Sequence, residues 1–229
     1  MSLRFLYCHG FASGPQSTKG VAFAEHFARQ GVTVDRLDLR VPSFERLRLS
    51  AMIETARAAI GGPDDRAVMV GSSLGGLTTA RLAERDPRVI AVMLLAPAFQ
   101  LIPRWQQQLG PAWDEWQRTG WREVRDYTTD APSRIDFGFT EDVAAVDRGF
   151  PELTIPTLIC HGIHDDAVPV DHSRRFAAGR ANVRLIELDD GHELAGSLPR
   201  LLAEADGFLG PYLRSTTKSL WNGDLAIPV

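Results

Sequence analysis

The sequence predicts an α/β fold: a minimal, doubly wound parallel sheet of about six strands in the order 2-1-3-4-5-6, carrying a helical insertion. Three observations point there. Short apolar or β-branched runs alternate with longer amphipathic segments, the pattern of strand–helix–strand crossovers. The short runs are apolar throughout rather than at every second residue, as strands covered on both faces must be. The alternation stops between Phe99 and Leu153, a span too long for a structureless loop in a compact domain, so it reads as a folded insertion.

Taken in order, Leu3–Cys8 is the first strand. Ser17–Gln30 is a helix, with Val21, Phe23, Ala24, Phe27 and Ala28 near helical spacing and Gly31 as its stop. Val32–Leu39 is the second strand, and Phe44–Ile60 a helix closed by Gly61-Gly62-Pro63. Ala67–Val70 is the third strand, followed directly by Gly71 and a helix from Leu74 to Arg85. Arg88–Leu95 and Pro156–His161 are the fourth and fifth strands. Val170–Gly179 is a helix, Val183–Leu188 the sixth strand, and Glu193–Leu209 contains the last helix. Residues 1–210 thus form one domain, interrupted at about 100–153, with a tail over 211–229. From Arg214 onward the tail shows no clear pattern and is expected to be partly disordered.

Composition narrows the function. With 229 residues, 44% of them hydrophobic, the chain is the size of one domain with one large core. A net charge of −4 and a pI of about 5.9 argue against a nucleic-acid partner, which a basic stripe would signal. The start, MSLRFLYCHG, lacks the length and the basic-then-apolar order of a secretory leader. The longest apolar run, Val89 to Phe99, is far short of the roughly 20 residues that span a bilayer. The expectation is a cytoplasmic monomer or homodimer without stable membrane insertion. Cys8 and Cys160 do not make a disulfide framework. In the expected sheet they stand three strand spacings apart, roughly 14 Å, too far for a disulfide or a shared metal, and they read as buried, inert thiols.

In such folds ligands bind outside the carboxyl ends of the strands. There, Gly71-Ser72-Ser73-Leu74-Gly75 forms a G-x-S-x-G between a strand and a helix, the pattern of a nucleophile elbow. A serine on so sharp a turn needs small neighbours, and a helix starting at Leu74 aims its first amides at the reaction centre. The serine also needs a base, and the base an orienting acid. Of the six histidines, His192 alone lies between the last strand and the last helix. The acid is expected after the fifth strand, where His164-Asp165-Asp166 offers two carboxylates, Asp165 and Asp166. Asp189 and Asp190 lie close to His192 and read as a solvated turn. Two backbone amides must hold an oxyanion: Leu74 supplies one, and Phe11, in the loop His9-Gly10-Phe11-Ala12-Ser13, the other. His9, Gly10 and Ser13 in this loop are candidates to touch substrate, as are Ser17 and Lys19, for which capping the following helix is the rival role. Four of the five tryptophans fall between residues 105 and 121. Trp105, Trp113 and Trp116 either wall an apolar acyl or aryl pocket over Ser73 or pack the insertion onto the body.

On these residues the chain resembles the α/β-hydrolase superfamily. The start Leu-Tyr-Cys-His-Gly-Phe-Ala-Ser-Gly-Pro-Gln-Ser-Thr-Lys, the elbow Val-Gly-Ser-Ser-Leu-Gly-Gly and His-Gly-Ile-His-Asp-Asp-Ala-Val-Pro look like small bacterial esterases of the YqiA type. They are also similar to the depalmitoylating α/β-hydrolases of mitochondria. The resemblance covers about residues 3–100 and 155–210. It implies that Asp165, the fifth residue of H-G-x-x-D-x-x-V-P, is the acid, that the superfamily's first two strands are missing, and that 100–153 is a lid. It further implies hydrolysis of a small-molecule ester or thioester through an acyl-enzyme, with no metal or organic cofactor. Acyl transfer, amide cleavage and non-catalytic binding on the same fold are the alternatives.

Overall fold

The computed structural model describes residues 2–219. Its centre is a six-stranded, fully parallel sheet in the order β2-β1-β3-β4-β7-β8, the arrangement expected. These strands are β1 (Leu3–Cys8), β2 (Val34–Leu37), β3 (Arg66–Ser72), β4 (Val89–Leu95), β7 (Thr157–Gly162) and β8 (Val183–Leu188). Because alternate side chains of a strand point to opposite faces, the apolar runs feed two cores. Leu6, Met69, Leu94 and Ile159 face one; Tyr7, Val70, Met93, Leu95 and Leu158 face the other. The first core is closed by α2 (Leu49–Ile60), α3 (Leu74–Ala83) and α7 (Val170–Ala177), and the second by α1 (Thr18–Ala28) and α8 (Leu198–Ser219). Cys8 and Cys160 lie in different cores, on opposite faces of the sheet, both buried and free.

Two boundaries differ from the sequence reading. The helix expected over Phe44–Ile60 is a short 3-10 turn, Phe44–Arg46, and then α2, because Phe44 and Leu47 are both drawn into the core and Arg48 between them and α2 is extended. The guanidinium of Arg48 forks onto Asp136 of the insertion at 2.7 Å through two nitrogens, which fixes the break. The last helix begins at Leu198 and continues through Pro211 to Ser219. Leu201, Ala205, Leu209 and Leu213 recur every fourth residue along one buried stripe, and that stripe carries the helix into the segment beyond Arg214 that shows no sequence pattern. Residues 220–229 of the tail lie outside the described residues.

The insertion is not purely helical. After α4 (Leu101–Leu109) and α5 (Pro111–Thr119) comes an antiparallel hairpin, β5 (Trp121–Asp126) with β6 (Ala131–Asp136), and then α6 (Gly138–Val146). Charged residues stand on both faces of β5, so no apolar–polar alternation marks it: Glu123 and Arg125 are exposed, Asp126 is buried, and Arg134 on β6 lies over the Trp121 ring, 4.2 Å from its centroid. The hairpin's tip reaches the loop after β1, where Tyr127 N–H donates to Ala12 O at 2.9 Å. Among the described residues no helix is long and apolar enough to cross a membrane.

Candidate active site

Ser73 sits between β3 and α3 at φ +51°, ψ −114°, a strained backbone for a residue with a side chain. The turn is possible because its neighbours are bare. A Cβ on Gly71 would collide with the carbonyl of Gly75, and one on Gly75 would collide with the carbonyl oxygens of Cys8 and His9. The two glycines therefore let α3 press against the ends of β3 and β1. Ser73 N–H donates to Leu95 O at 2.8 Å, and Ser73 O accepts from Ala98 N–H at 3.0 Å, which pins the turn to β4 and the loop after it.

His192 is carried by the loop between β8 and α8, and Asp165 by the loop after β7. His192 Nε2 lies 3.0 Å from Ser73 Oγ and its Nδ1 2.7 Å from Asp165 Oδ2. The three residues come from loops after three different strands and meet at the carboxyl ends of the strands, in the chain order Ser, Asp, His. Asp165 rather than Asp166 makes this contact; Asp166 is exposed at the rim of the cavity.

The carboxylate of Asp165 is saturated. Its Oδ1 accepts from Ala167 N–H at 2.9 Å and Val168 N–H at 2.6 Å, and its Oδ2 is shared between His192 and His161, the latter at 3.1 Å. Burial pushes its pKa up, but the donors from His161, His192 and Val168 outweigh that and hold it well below the usual carboxylate range. In the sequence His161 is only the last residue of the fifth strand. It is fully buried, its Nδ1 lies 2.8 Å from Ser173 Oγ, and its Nε2 lies between Asp165 Oδ2 and Val168 O. The one sequence signal for it was the adjacency His161-Gly162 at the end of a strand, four residues before the acid.

A cavity of about 1050 Å³ opens over Ser73 and His192. Gly10, Phe11, Ser13, Leu74 and Trp105 line it, as do Ser17 and Lys19. The loop after β1 comes close, since a Cβ on Gly10 would lie 3.4 Å from Ser73 Cβ. Leu74 N–H belongs to the first turn of α3, whose amides have no acceptor within the helix. Ser17 also caps α1, accepting from Gly20 N–H at 3.3 Å. Lys19 Nζ is 2.7 Å from Glu193 O and 3.2 Å from Glu193 Oε2, which ties the start of α1 to the residue after His192.

Three expected substrate contacts lie elsewhere. His9 is buried beside the cavity, not in its wall: its Nδ1 lies 2.9 Å from Gly10 O and its Nε2 accepts from Leu39 N–H at 3.0 Å, so both ring nitrogens are used to hold the loop. Burial lowers its pKa, which suits this neutral ring. Trp113 and Trp116 are packed inside the insertion, with Trp116 Nε1–H donating to Ile135 O at 3.1 Å and both rings edge-on to Phe137. Large amphipathic rings were drawn to the nearest apolar volume with an acceptor at its edge, and for these two that volume is the insertion's own core. Trp105 alone of the three reaches the cavity, edge-to-face with Phe11 at 5.3 Å between centroids.

Residues 4–204 match the model of an uncharacterised protein family, UPF0227. The chain belongs to that family. No curated protein sequence matches it. Among solved structures this UPF0227 member is similar to the mouse alpha/beta hydrolase domain-containing protein 10, at 20% identity over 92% of this chain and 90% of that one, with a TM-score of 0.75. A protein from Agrobacterium vitis S4 is similar at 23% identity over 90% of this chain and 87% of that one, TM-score 0.77. Est1E from Butyrivibrio proteoclasticus is similar at 21% over 93% and 88%, TM-score 0.72. The UPF0227 chain has the α/β-hydrolase fold, and the insertion stands between β4 and β7.

Proposed function

We propose that the protein is a serine hydrolase that cleaves carboxylic esters of small or medium apolar acyl or aryl groups. The observation that carries this reading is the unbroken run of contacts from Ser73 Oγ through His192 to Asp165, at 3.0 and 2.7 Å, beneath an open cavity. Ser73 attacks the ester carbonyl while His192 takes its proton through Nε2. The tetrahedral oxyanion is held by the amides of Phe11 and Leu74. His192 then protonates the leaving alcohol, and water repeats the sequence to release the acid. Asp165 holds the imidazole with Nδ1–H toward itself and stabilises the imidazolium. All electrons stay in polar bond exchange at carbon, so these side chains and amides suffice for the chemistry.

The apolar side of the cavity, Phe11, Leu101 and Trp105, suits an acyl or aryl group, and the insertion over it is the lid in this reading. A structure of Est1E with ferulic acid bound is among the similar folds. Thioesters are the second substrate class, since attack at a thioester carbonyl uses the same geometry. Labelling by a fluorophosphonate probe tests the central claim. Wild type should label and Ser73→Ala should not; an unlabelled wild type, with no turnover of 4-nitrophenyl esters, would sink it. A series of acyl chain lengths, extended to acyl-CoA, then separates ester from thioester preference.

A further inference from the structure

Among the described residues, Arg81 and Arg104 are the arginines that the fold buries almost completely, at 2% and 9% exposure. Arg81 is neutralised by Asp147 and Glu84. The less buried Arg40, Arg48 and Arg88 likewise each meet a carboxylate, on Asp126, Asp136 and Asp86. Arg104, on α4, makes no ion pair among the described residues, although it lines the same cavity as Ser73 and His192.

Its hydrogen bonds use one nitrogen. Nη1 donates to Ala167 O and, at 3.2 Å, to Gln108 Oε1. Nε has no partner, and no protein acceptor among the described residues meets Nη2. Nε is enclosed by protein, so a ligand in the cavity would meet the guanidinium at Nη2, through one charge-assisted bond. The nearby Asp165 charge acts on Arg104 only through space, because the Asp165 oxygens are already taken by His161, His192, Ala167 and Val168. The other acidic residues along the wall are engaged or point outward. Asp190 accepts from Gly191 and Ser197 amides, Glu193 pairs with Lys19, and Asp166 is exposed. Burial lowers the Arg104 pKa to about 10, which leaves it cationic at neutral pH. A buried cation with an unpartnered edge is costly unless something anionic completes it.

We infer that Arg104 is a docking point for a carboxylate carried by the substrate, so that the enzyme prefers esters bearing an anionic group on the acyl or the alcohol part. This rests on the serine-hydrolase reading and refines its substrate class: an apolar body with one carboxylate.

The test uses two matched pairs: mono-(4-nitrophenyl) glutarate against its methyl ester, and 4-butyryloxybenzoate against its methyl ester. For each pair the ratio of kcat/KM, acid over methyl ester, is measured for wild type, Arg104→Gln and Arg104→Lys. Glutamine keeps a donor for Ala167 O without the charge. In at least one pair the ratio should fall about tenfold to a hundredfold in Arg104→Gln, the span of a charge-assisted hydrogen bond, with Arg104→Lys in between. Unchanged ratios in both pairs, with or without an overall loss of rate, would assign Arg104 to holding α4 against the acid loop and overturn the inference. Turnover of the acids alone, lost in Arg104→Gln, supports the inference outright. Should none of the four esters show Ser73-dependent turnover, the hydrolase reading falls separately, and monomethyl glutarate alone decides the anion site. A rise in Tm for wild type that Arg104→Gln lacks supports the site; no rise refutes it.

Discussion

Ser73 holds a positive φ that a non-glycine residue adopts only where its surroundings over-determine it, and here two collision-prone glycines, the Leu95 carbonyl and the Ala98 amide do so. Asp165 shows the same over-determination, with four donors on one carboxylate. On the serine-hydrolase proposal, Asp165→Asn should leave the fold intact and lower kcat by about 10⁴, the loss seen when the triad acid of a serine protease is amidated; steady-state kinetics beside a circular dichroism spectrum checks both halves. The same carboxylate makes stability depend on pH. Its folded pKa is depressed below the ordinary 3.8, so its stabilisation is fully present above about pH 4 and is lost as pH falls below that toward the folded value. The difference in unfolding free energy between wild type and Asp165→Asn should shrink steadily on acidification below pH 4; a difference independent of pH there would contradict the hydrogen-bond count. His161→Leu removes one of the four donors and strands Ser173 Oγ and Val168 O, and it should cost about 1–3 kcal/mol of stability, with His161→Gln, which keeps a donor, losing less.

At the level of elements, the insertion adds its own aromatic packing to the core on one face of the sheet. Trp113, Trp116 and Phe137 pack edge to face within it, and Arg48 and Tyr127 N–H tie it to the start of α2 and to the loop after β1. The tryptophans therefore divide by role. Trp116→Ala should destabilise the protein by about 3–5 kcal/mol, as for a buried aromatic elsewhere, read by denaturant unfolding. Trp105→Ala should instead shift the preference among acyl chain lengths while the unfolding midpoint moves less than it does for Trp116→Ala. Equal stability losses in the two variants would show that Trp105 also belongs to the insertion's core. The hairpin is what the sequence concealed. Its strands are short, half exposed and rich in Arg, Glu and Asp, so hydrophobic periodicity, which found every strand of the central sheet, had almost nothing to register.

Across the whole molecule, two cores lie back to back on one sheet, and each free thiol belongs to a different one. Burial pushes both Cys8 and Cys160 up to about 12, and neither side chain reaches solvent. Native protein should react negligibly with a thiol reagent such as Ellman's at neutral pH, and both cysteines should titrate once the chain is unfolded in guanidinium. Fast labelling of the native state would mean that one end of the sheet opens.

The sequence by itself determined the six strands and their parallel pairing, because fully apolar strands joined by amphipathic crossovers must be covered on both faces; their order is that of the fold the chain resembles. It also determined the elbow at Ser73 and the nomination of His192, because those depend on local spacing and chain order. Only the tertiary structure decided which aspartate points at His192, that His161 shares that carboxylate, that His9 is spent on the backbone, and which tryptophan reaches the cavity. Most of those depend on distances between residues far apart in the chain; His161 and Asp165 stand only four residues apart, but side-chain direction at a loop is set by the packing around it rather than by the loop's own residues.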